Sequence, residues 1–356
     1  MTGSDRAKHE HEVIPKGSAV IEAVLEKPRH FALQREEVPK ISGDQLLIRV
    51  HYCGICGSDI HTYLGHNPFI QLPAVLGHEL VGKIAAVGPA VRDMRVGDRV
   101  TYEPTNHCGN CRYCLDGMYN LCLNRTPTVG AFREFTVLRE SQVHRVPARV
   151  GDKAGALIEP LASALHALDV GQLERGQRVL VIGSGAIGIL ITASAKLRGA
   201  GYVAVTNRSR PKLSIAANYG AEEGIHTPGP RPAETVLERL GENAIDIVFD
   251  TVANSETIGC ALSVLKKGGI LVIVGTPLEA FAADFPRILI NELRVAGSLK
   301  YRGNFQEAIS ILSESGFDFP SLITRIFPLQ DIQQAFEEIN ANSARYVKCL
   351  IEARSG

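Results

Sequence analysis

The segment Arg178-Val179-Leu180-Val181-Ile182-Gly183-Ser184-Gly185-Ala186-Ile187-Gly188 reads as a buried strand, a glycine loop and the first turn of a helix, in that order. Its opening residues are apolar without alternation, as expected of a strand covered on both faces. Residues 183–188 are G-x-G-x-x-G, and a helical pattern runs from Ala186 to about Arg198. In a dinucleotide site the first glycine allows the tight turn and the second lets the backbone approach a pyrophosphate. The third lets helix and strand pack closely, with the phosphates on the helix N-terminus. A plain glycine-rich turn carries the same letters; the strand-loop-helix context is what favours the nucleotide reading. Gly183, Gly185, Ala186, Ile187 and Gly188 are therefore the candidate cofactor residues.

On the C-terminal side, strand patterns at 202–206 (YVAVT), 245–250 and 270–275 alternate with helical ones near 212–219, 233–240 and 256–265. Alternating strands and helices, with strands apolar on both faces, imply a parallel sheet covered by helices and joined by right-handed crossovers. A last strand-like run at 293–299 is followed by helical patterns at 305–312 and 332–339. On the N-terminal side the pattern is different. Residues 45–51 (QLLIRVH), 80–87 (LVGKIAAV) and 98–102 (DRVTY) are short alternating runs broken by glycine and proline, which indicates a β-rich domain. The fold class expected is α/β, a β-rich domain joined to a doubly wound parallel-sheet domain.

The second strand of an NAD site ends in Asp or Glu, which accepts from the ribose 2′-hydroxyl. Here the chain reads Thr206-Asn207-Arg208-Ser209-Arg210. Asn207 lacks the anionic acceptor, and Arg208 and Arg210 can pair with a 2′-phosphate, which favours NADP. A solvated basic turn is the bland alternative.

Two metal-type clusters lie in the β-rich part. Cys108, Cys111, Cys114 and Cys122 are spaced C-x2-C-x2-C-x7-C, which suits a closed tetrahedral zinc held by four thiolates. Cys56 with His78 and Glu79 has too few thiolates to close, and such a mixed set is what zinc with an exchangeable position uses. Zinc lowers the pKa of a bound water or alcohol from ~16 to around 7. Ser58 and His61 follow Cys56 and offer a hydroxyl-to-imidazole route for the departing proton. Asp59 is a candidate acceptor fixing the tautomer of His78. Glu159, at the junction of the two parts, either caps the following helix or faces the cleft as a direct or water-mediated zinc partner. Two zincs per chain are expected, and a lone histidine from this set would mean little.

Bulk properties narrow the function further. The chain has 356 residues, 45% hydrophobic and 21% charged, with a formal net charge of zero. That balance leaves no electrostatic footprint for nucleic acid. No apolar run reaches the length of a membrane span, and the polar start, residues 1–16, reads as a frayed tail. Metal ligation accounts for five of the eight cysteines, and Cys53, Cys260 and Cys349 read as buried free thiols. A reducing cytoplasm is the expected location.

Taken together, residues 54–61 (GICGSDIH), Gly77-His78-Glu79, Val96-Gly97-Asp98-Arg99-Val100, the four-cysteine lobe, Glu159-Pro160-Leu161 and residues 183–188 resemble the zinc-dependent medium-chain alcohol dehydrogenase family. The resemblance covers residues 19–351. It implies a GroES-like catalytic domain over 17–160, completed by 300–356, around a Rossmann domain over 161–299. It also implies a homodimer or homotetramer. Glu79 and Glu159 make the chain similar to the sorbitol and threonine dehydrogenase branch, since other alcohol dehydrogenases of the family place a thiolate where Glu159 stands. Gly65-His66-Asn67-Pro68-Phe69 looks like the corresponding segment of hexonate dehydrogenases. The resemblance makes Cys56 and His78 zinc ligands, with Glu79 or Glu159 as the third. It puts Ser58 and His61 at proton-relay positions and Lys300 where polyol dehydrogenases carry a substrate-facing arginine. Residues 123–131 are shorter than the family's usual loop, and Asn207 replaces its usual acid.

The function expected is NAD(P)-linked interconversion of a secondary alcohol and a ketone on a small polyol, cyclitol or sugar acid. L-threonine 3-dehydrogenase-like oxidation is the alternative within enzymes. A zinc-ribbon binding module fused to a nucleotide sensor is the alternative of another class, and a second, open metal cluster argues against it.

Overall fold

The computed structural model describes residues 19–353, apart from Pro230 and Leu278; the polar start at 1–16 lies outside the described residues. The described residues open with β1 (Ala19–Lys27), β2 (His30–Glu37) and the long β3 (Gln45–Ile55), then turn through helix α1 (Gly57–Tyr63). β4 (Ala74–Val75), β5 (Glu79–Val87) and β6 (Arg99–Tyr102) follow. A cysteine-bearing lobe with the short α2 (Arg112–Leu115) precedes β7 (Phe135–Arg139) and β8 (Val143–Arg145). Two helices, α3 (Asp152–Gly155) and α4 (Ile158–Gly171), lead out of this β-rich part.

Next come β9 (Arg178–Ile182), α5 (Ala186–Leu197), β10 (Tyr202–Asn207), α6 (Arg210–Ala217), β11 (Glu223–His226) and α7 (Pro232–Leu240). β12 (Ile245–Asp250), α8 (Ser255–Val264), β13 (Leu265–Ile273), α9 (Phe285–Ile290) and β14 (Arg294–Gly297) complete this run. Its strands form one sheet in the order β11-β10-β9-β12-β13-β14, parallel throughout. The strand order reverses between β9 and β12, and ligands of doubly wound sheets bind beyond the strand ends at that point.

The sheet is apolar on both faces because alternate residues go to different cores. Val179, Val181, Val203, Val205, Phe249 and Val272 face the layer of α4 and α5. Leu180, Ile182, Ala204, Val248 and Leu271 face the layer of α7 and α8. Each such side chain larger than alanine contributes ~1.5–3 kcal/mol on full burial.

The chain then returns to the first part through α10 (Phe305–Glu314), β15 (Ile323–Pro328), α11 (Ile332–Ala341) and β16 (Lys348–Glu352). β15 and β16 extend the β-rich sheet to the order β15-β16-β3-β5-β6-β8, with β7 also paired to β3. β16 runs antiparallel to β3, placing Cys349 opposite Ile55 and Leu350 opposite Gly54. The strands and helices expected between 178 and 250 begin and end within two residues or so of the observed ones. The run expected at 270–275 starts earlier, because β13 begins at Leu265 and passes through Gly268 at φ +73°.

Candidate active site

Cys56 is the N-cap residue of α1, held at the end of β3 where the backbone turns from strand to helix. Asp59, buried in the first turn, accepts from the Cys56 amide at 3.0 Å through Oδ2. Its Oδ1 accepts from the Gly77 amide at 3.3 Å and lies 3.5 Å from Nδ1 of His78. One carboxylate thus ties together the two segments that carry the open donor set. Gly77 has φ +87°, and a Cβ there would press on the Phe132 ring at 2.7 Å and the Cys53 Sγ at 2.9 Å, so only glycine delivers His78 and Glu79 to this point.

One ligand atom from each of Cys56, His78 and Glu79 lies within 4.8 Å of the other two. Burial works against a charged His78, yet Asp59 and Cys56 outweigh it and hold its pKa well above the ordinary value. The surroundings therefore favour positive charge. A thiol, an imidazole and a carboxylate in such a field fit zinc with an exchangeable position.

Glu159 is not in that group of three. It sits buried in the first turn of α4, where the helix dipole favours an acid. Burial and the neighbouring Glu79 push its pKa up to about 7, against His78, Lys348 and Lys300. It shares the field of the donor set from a second element. Lys300 is mostly buried at φ +55°, and its Nζ donates to the Pro104 carbonyl at 3.0 Å. Burial and Arg125 lower its pKa, against Glu159 and Glu103.

Ser58 and His61 lie one helical turn apart on α1. His61 lines a cavity of about 250 Å³ together with Val252, Ala253, Asn254, Ser255 and Thr276, which follow β12 and β13 at the cofactor end of the parallel sheet. Its Nδ1 is buried and unpartnered among the described residues. Burial and the neighbouring His66 both lower its pKa.

Sequence reasoning missed Lys348 and the part that Gly54 plays. Lys348, 4% exposed, donates from Nζ to both oxygens of Glu79 at 2.7 Å and to the Ile55 carbonyl at 3.1 Å. Gly54 stands opposite Glu79 in the sheet, and a Cβ there would lie 1.8 Å from Glu79 Oε2. The available signal was a lone lysine heading the apolar run Cys349-Leu350-Ile351.

The lobe cysteines converge as their spacing implies. Sγ separations are 3.5 Å for Cys108–Cys122 and Cys111–Cys114, and 4.0 Å for Cys108–Cys114 and Cys111–Cys122, with no disulfide among them. Backbone hydrogen bonding at Asn110 and Cys111 lowers Cys108 to about 6 and favours its thiolate, while burial and the neighbouring Cys111 push Cys114 up to about 12, so without a metal the crowded sulfurs do not all ionise together. Four convergent sulfurs fit a closed zinc site. A zinc-ribbon module would need this set alone, whereas the chain carries two separate donor groups.

At the dinucleotide loop each glycine has its own reason. Gly183 has φ +94°, and a Cβ there would lie 2.5 Å from Thr251 Oγ1, leaving no room for a side chain. Gly185, the N-cap of α5, faces open space, as needed where a phosphate approaches backbone. A Cβ on Gly188 would lie 1.8 Å from the Gly183 carbonyl oxygen, so helix and loop touch there. At the end of β10, Asn207 Oδ1 already accepts from the Ser209 amide at 2.7 Å, while Arg208 is exposed. Thr227 donates its amide to the Asn207 carbonyl, and His226 bonds the Arg208 carbonyl at 3.0 Å, fixing the backbone of this turn.

The comparisons agree with this geometry. The Alcohol dehydrogenase GroES-like domain family matches residues 42–148, and the Zinc-binding dehydrogenase family matches residues 186–314. The chain is 33% identical to a sorbitol dehydrogenase of Bacillus subtilis over 88% of its own length and 92% of that protein's. A zinc-binding dehydrogenase of Sinorhizobium meliloti 1021 bound to NADP superposes with TM-score 0.86 at 30% identity, covering 94% of this chain and 99% of that one. An Escherichia coli CFT073 alcohol dehydrogenase in complex with NADH superposes with TM-score 0.87 at 30% identity, covering 94% and 100%. Among the described residues no helix is long and apolar enough to cross a membrane. The chain belongs to the zinc-dependent medium-chain alcohol dehydrogenase family, in its sorbitol and threonine dehydrogenase-like branch, and is an oxidoreductase acting on CH–OH groups with zinc and a nicotinamide cofactor.

Proposed function

We propose that this chain interconverts a secondary alcohol and a ketone on a polyol, cyclitol or sugar acid, with NADP preferred over NAD. The observation that carries the reading is the position of the open donor set. Cys56 caps the helix whose His61 lines a cavity with residues from the cofactor end of the parallel sheet. Bound zinc would polarise the substrate hydroxyl and the nicotinamide would take the hydride. The protein supplies the rest. Cys56, His78 and Glu79 would hold the metal, with Glu159, which shares their field from α4, as the alternative third ligand. Ser58 and His61 would carry the hydroxyl proton outward, since a His61 of lowered pKa is neutral near pH 7 and able to accept. Lys300 is the cation available to a hydroxyl-rich or carboxylate-bearing substrate. Cys108, Cys111, Cys114 and Cys122 would hold a second, structural zinc.

Two further parts of the reading have their own support. Arg208 is exposed beside an Asn207 whose amide oxygen is already engaged, which favours a 2′-phosphate over a bare ribose. β14 is an edge strand, and Phe285, Leu289 and Ile290 of α9 beside it are each more than 70% exposed. An uncovered edge with an apolar flank suits a second copy of the chain, related by a two-fold axis. The free thiols suit a reducing cytoplasm. The test is a steady-state screen over polyols, cyclitols, hexonates and threonine with both cofactors, beside metal analysis. Two zincs per chain and turnover of a polyhydroxylated secondary alcohol are expected; one zinc at full activity overturns the metal assignment.

A further inference from the structure

Glu79 is claimed from two sides. One of its oxygens belongs to the group formed with Cys56 and His78, yet both oxygens also accept from Lys348 at 2.7 Å. The ammonium has three N–H donors and all are committed, two to Glu79 and one to the Ile55 carbonyl. The three strands that build this contact are neighbours in the sheet, β16 carrying Lys348, β3 carrying Gly54 and β5 carrying Glu79. Only the missing side chain at Gly54 lets the carboxylate occupy its place, because a Cβ there would collide with Oε2. Glu79 is 1% exposed and Lys348 4%, so water screens neither.

We propose that Lys348 is a positioning residue for the open metal site: by holding both oxygens of Glu79 it limits how strongly that carboxylate engages zinc at Cys56 and His78. The proposal rests on the zinc reading above. A buried carboxylate gripped by an ammonium is pre-positioned before metal arrives, but a metal must share it. Removing the ammonium frees the carboxylate for the metal. A merely structural ion pair would instead tie the C-terminal strand to the sheet and leave the metal indifferent.

The experiment compares wild type with Lys348→Met, Lys348→Arg, Glu79→Gln and the double variant Glu79→Gln/Lys348→Met. Zinc affinity is measured by competition with a chromophoric chelator, and the ligand set is read from the visible spectrum of the Co(II)-substituted protein. Lys348→Met should bind zinc about tenfold more tightly and shift the Co(II) bands; partners behind metal ligands usually act on this scale with the opposite sign, because they orient the ligand, whereas Lys348 competes with the metal for it. Lys348→Arg should return both to within about threefold of wild type, and Lys348→Met should add less than about threefold on the Glu79→Gln background. Lost thermal stability with unchanged zinc affinity and spectrum in Lys348→Met overturns the proposal. Should that variant not fold, the double variant, in which the buried pair is neutral, carries the test. An affinity differing more than about threefold from Glu79→Gln alone then overturns it. Wild-type metal content separates the two readings. No zinc at Cys56 and His78 removes the functional assignment, whereas zinc bound there regardless of Lys348 removes only the positioning role.

Discussion

His61 is disfavoured as a cation twice over, by burial and by His66, and its pKa lies below its ordinary value of 6.5. Near neutrality it is therefore an acceptor, and alcohol oxidation should weaken only as pH falls through that lowered pKa. His61→Gln should lower kcat by ~10²-fold or less, because water replaces a relay in part, and should abolish the acid limb. An unchanged pH–rate profile in that variant removes His61 from the mechanism. Stability follows the same sign. The unfolded chain binds a proton at this histidine before the folded one does, so its contribution is present above the unfolded value and is lost as pH falls from there through the folded one. The proposed preference for NADP rests on Arg208. A charge-assisted hydrogen bond to a 2′-phosphate contributes ~1.5–3 kcal/mol, about ten- to hundredfold in preference. Asn207→Asp with Arg208→Ile should reverse the order of kcat/KM for NADP and NAD; a wild type that prefers NAD would mean Arg208 is only solvated.

At the scale of elements, the loop before α5 and the cysteine lobe carry separate duties. Gly188→Ala drives a Cβ into the Gly183 carbonyl, and α5 must move to admit it. Overpacking of this kind costs ~1–3 kcal/mol. Cofactor affinity should fall while zinc content stays at wild-type level, which equilibrium dialysis and metal analysis check together. Cys111→Ser should do the reverse, lowering thermal stability and the content of one zinc, since a closed thiolate site contributes folding free energy. Elements with contrast in their pattern were legible: β9, β10 and β12 as apolar runs between turns, α5 after its glycines. α4 was not, because Ile158 to Gly171 is buried on nearly every side, with Glu159 and His166 among the buried residues, leaving no apolar stripe set against a polar face to read. β11 has a single large apolar residue, Ile225, in its short length and gave no strand pattern. In the site, residues clustered in sequence, such as Cys56 with Ser58 and His61, could be named. Lys348 is 269 positions from Glu79, and only the pairing of β16 with β3 brings it there.

Across the whole molecule the site is a product of both sheets and both ends of the chain. The donor set comes from β3, α1 and β5; the opposing wall comes from the loops after β12 and β13; the C-terminal strand closes the back. The β14 edge of the parallel sheet carries a large exposed apolar surface. Phe285, Leu289 and Ile290 are 71%, 78% and 74% exposed, with Val295 and Leu299 on the adjoining edge at 46% and 45%. A two-fold contact would bury the three helical side chains of each copy, worth up to about 9–18 kcal/mol for the six at the usual rate per side chain. That is comparable with or above the ~4–15 kcal/mol lost in association. Light scattering after size exclusion should therefore give a mass of two or four times the 38.5 kDa chain. Leu289→Asp with Ile290→Asp should shift the dimer contact toward the single-chain mass, because two carboxylates per copy would lose hydration at the contact. Zinc content should be unaffected, as neither residue belongs to a donor group. A wild type that runs as a monomer at tens of micromolar, or a double variant with unchanged mass, would mean that this flank meets something other than its own copy.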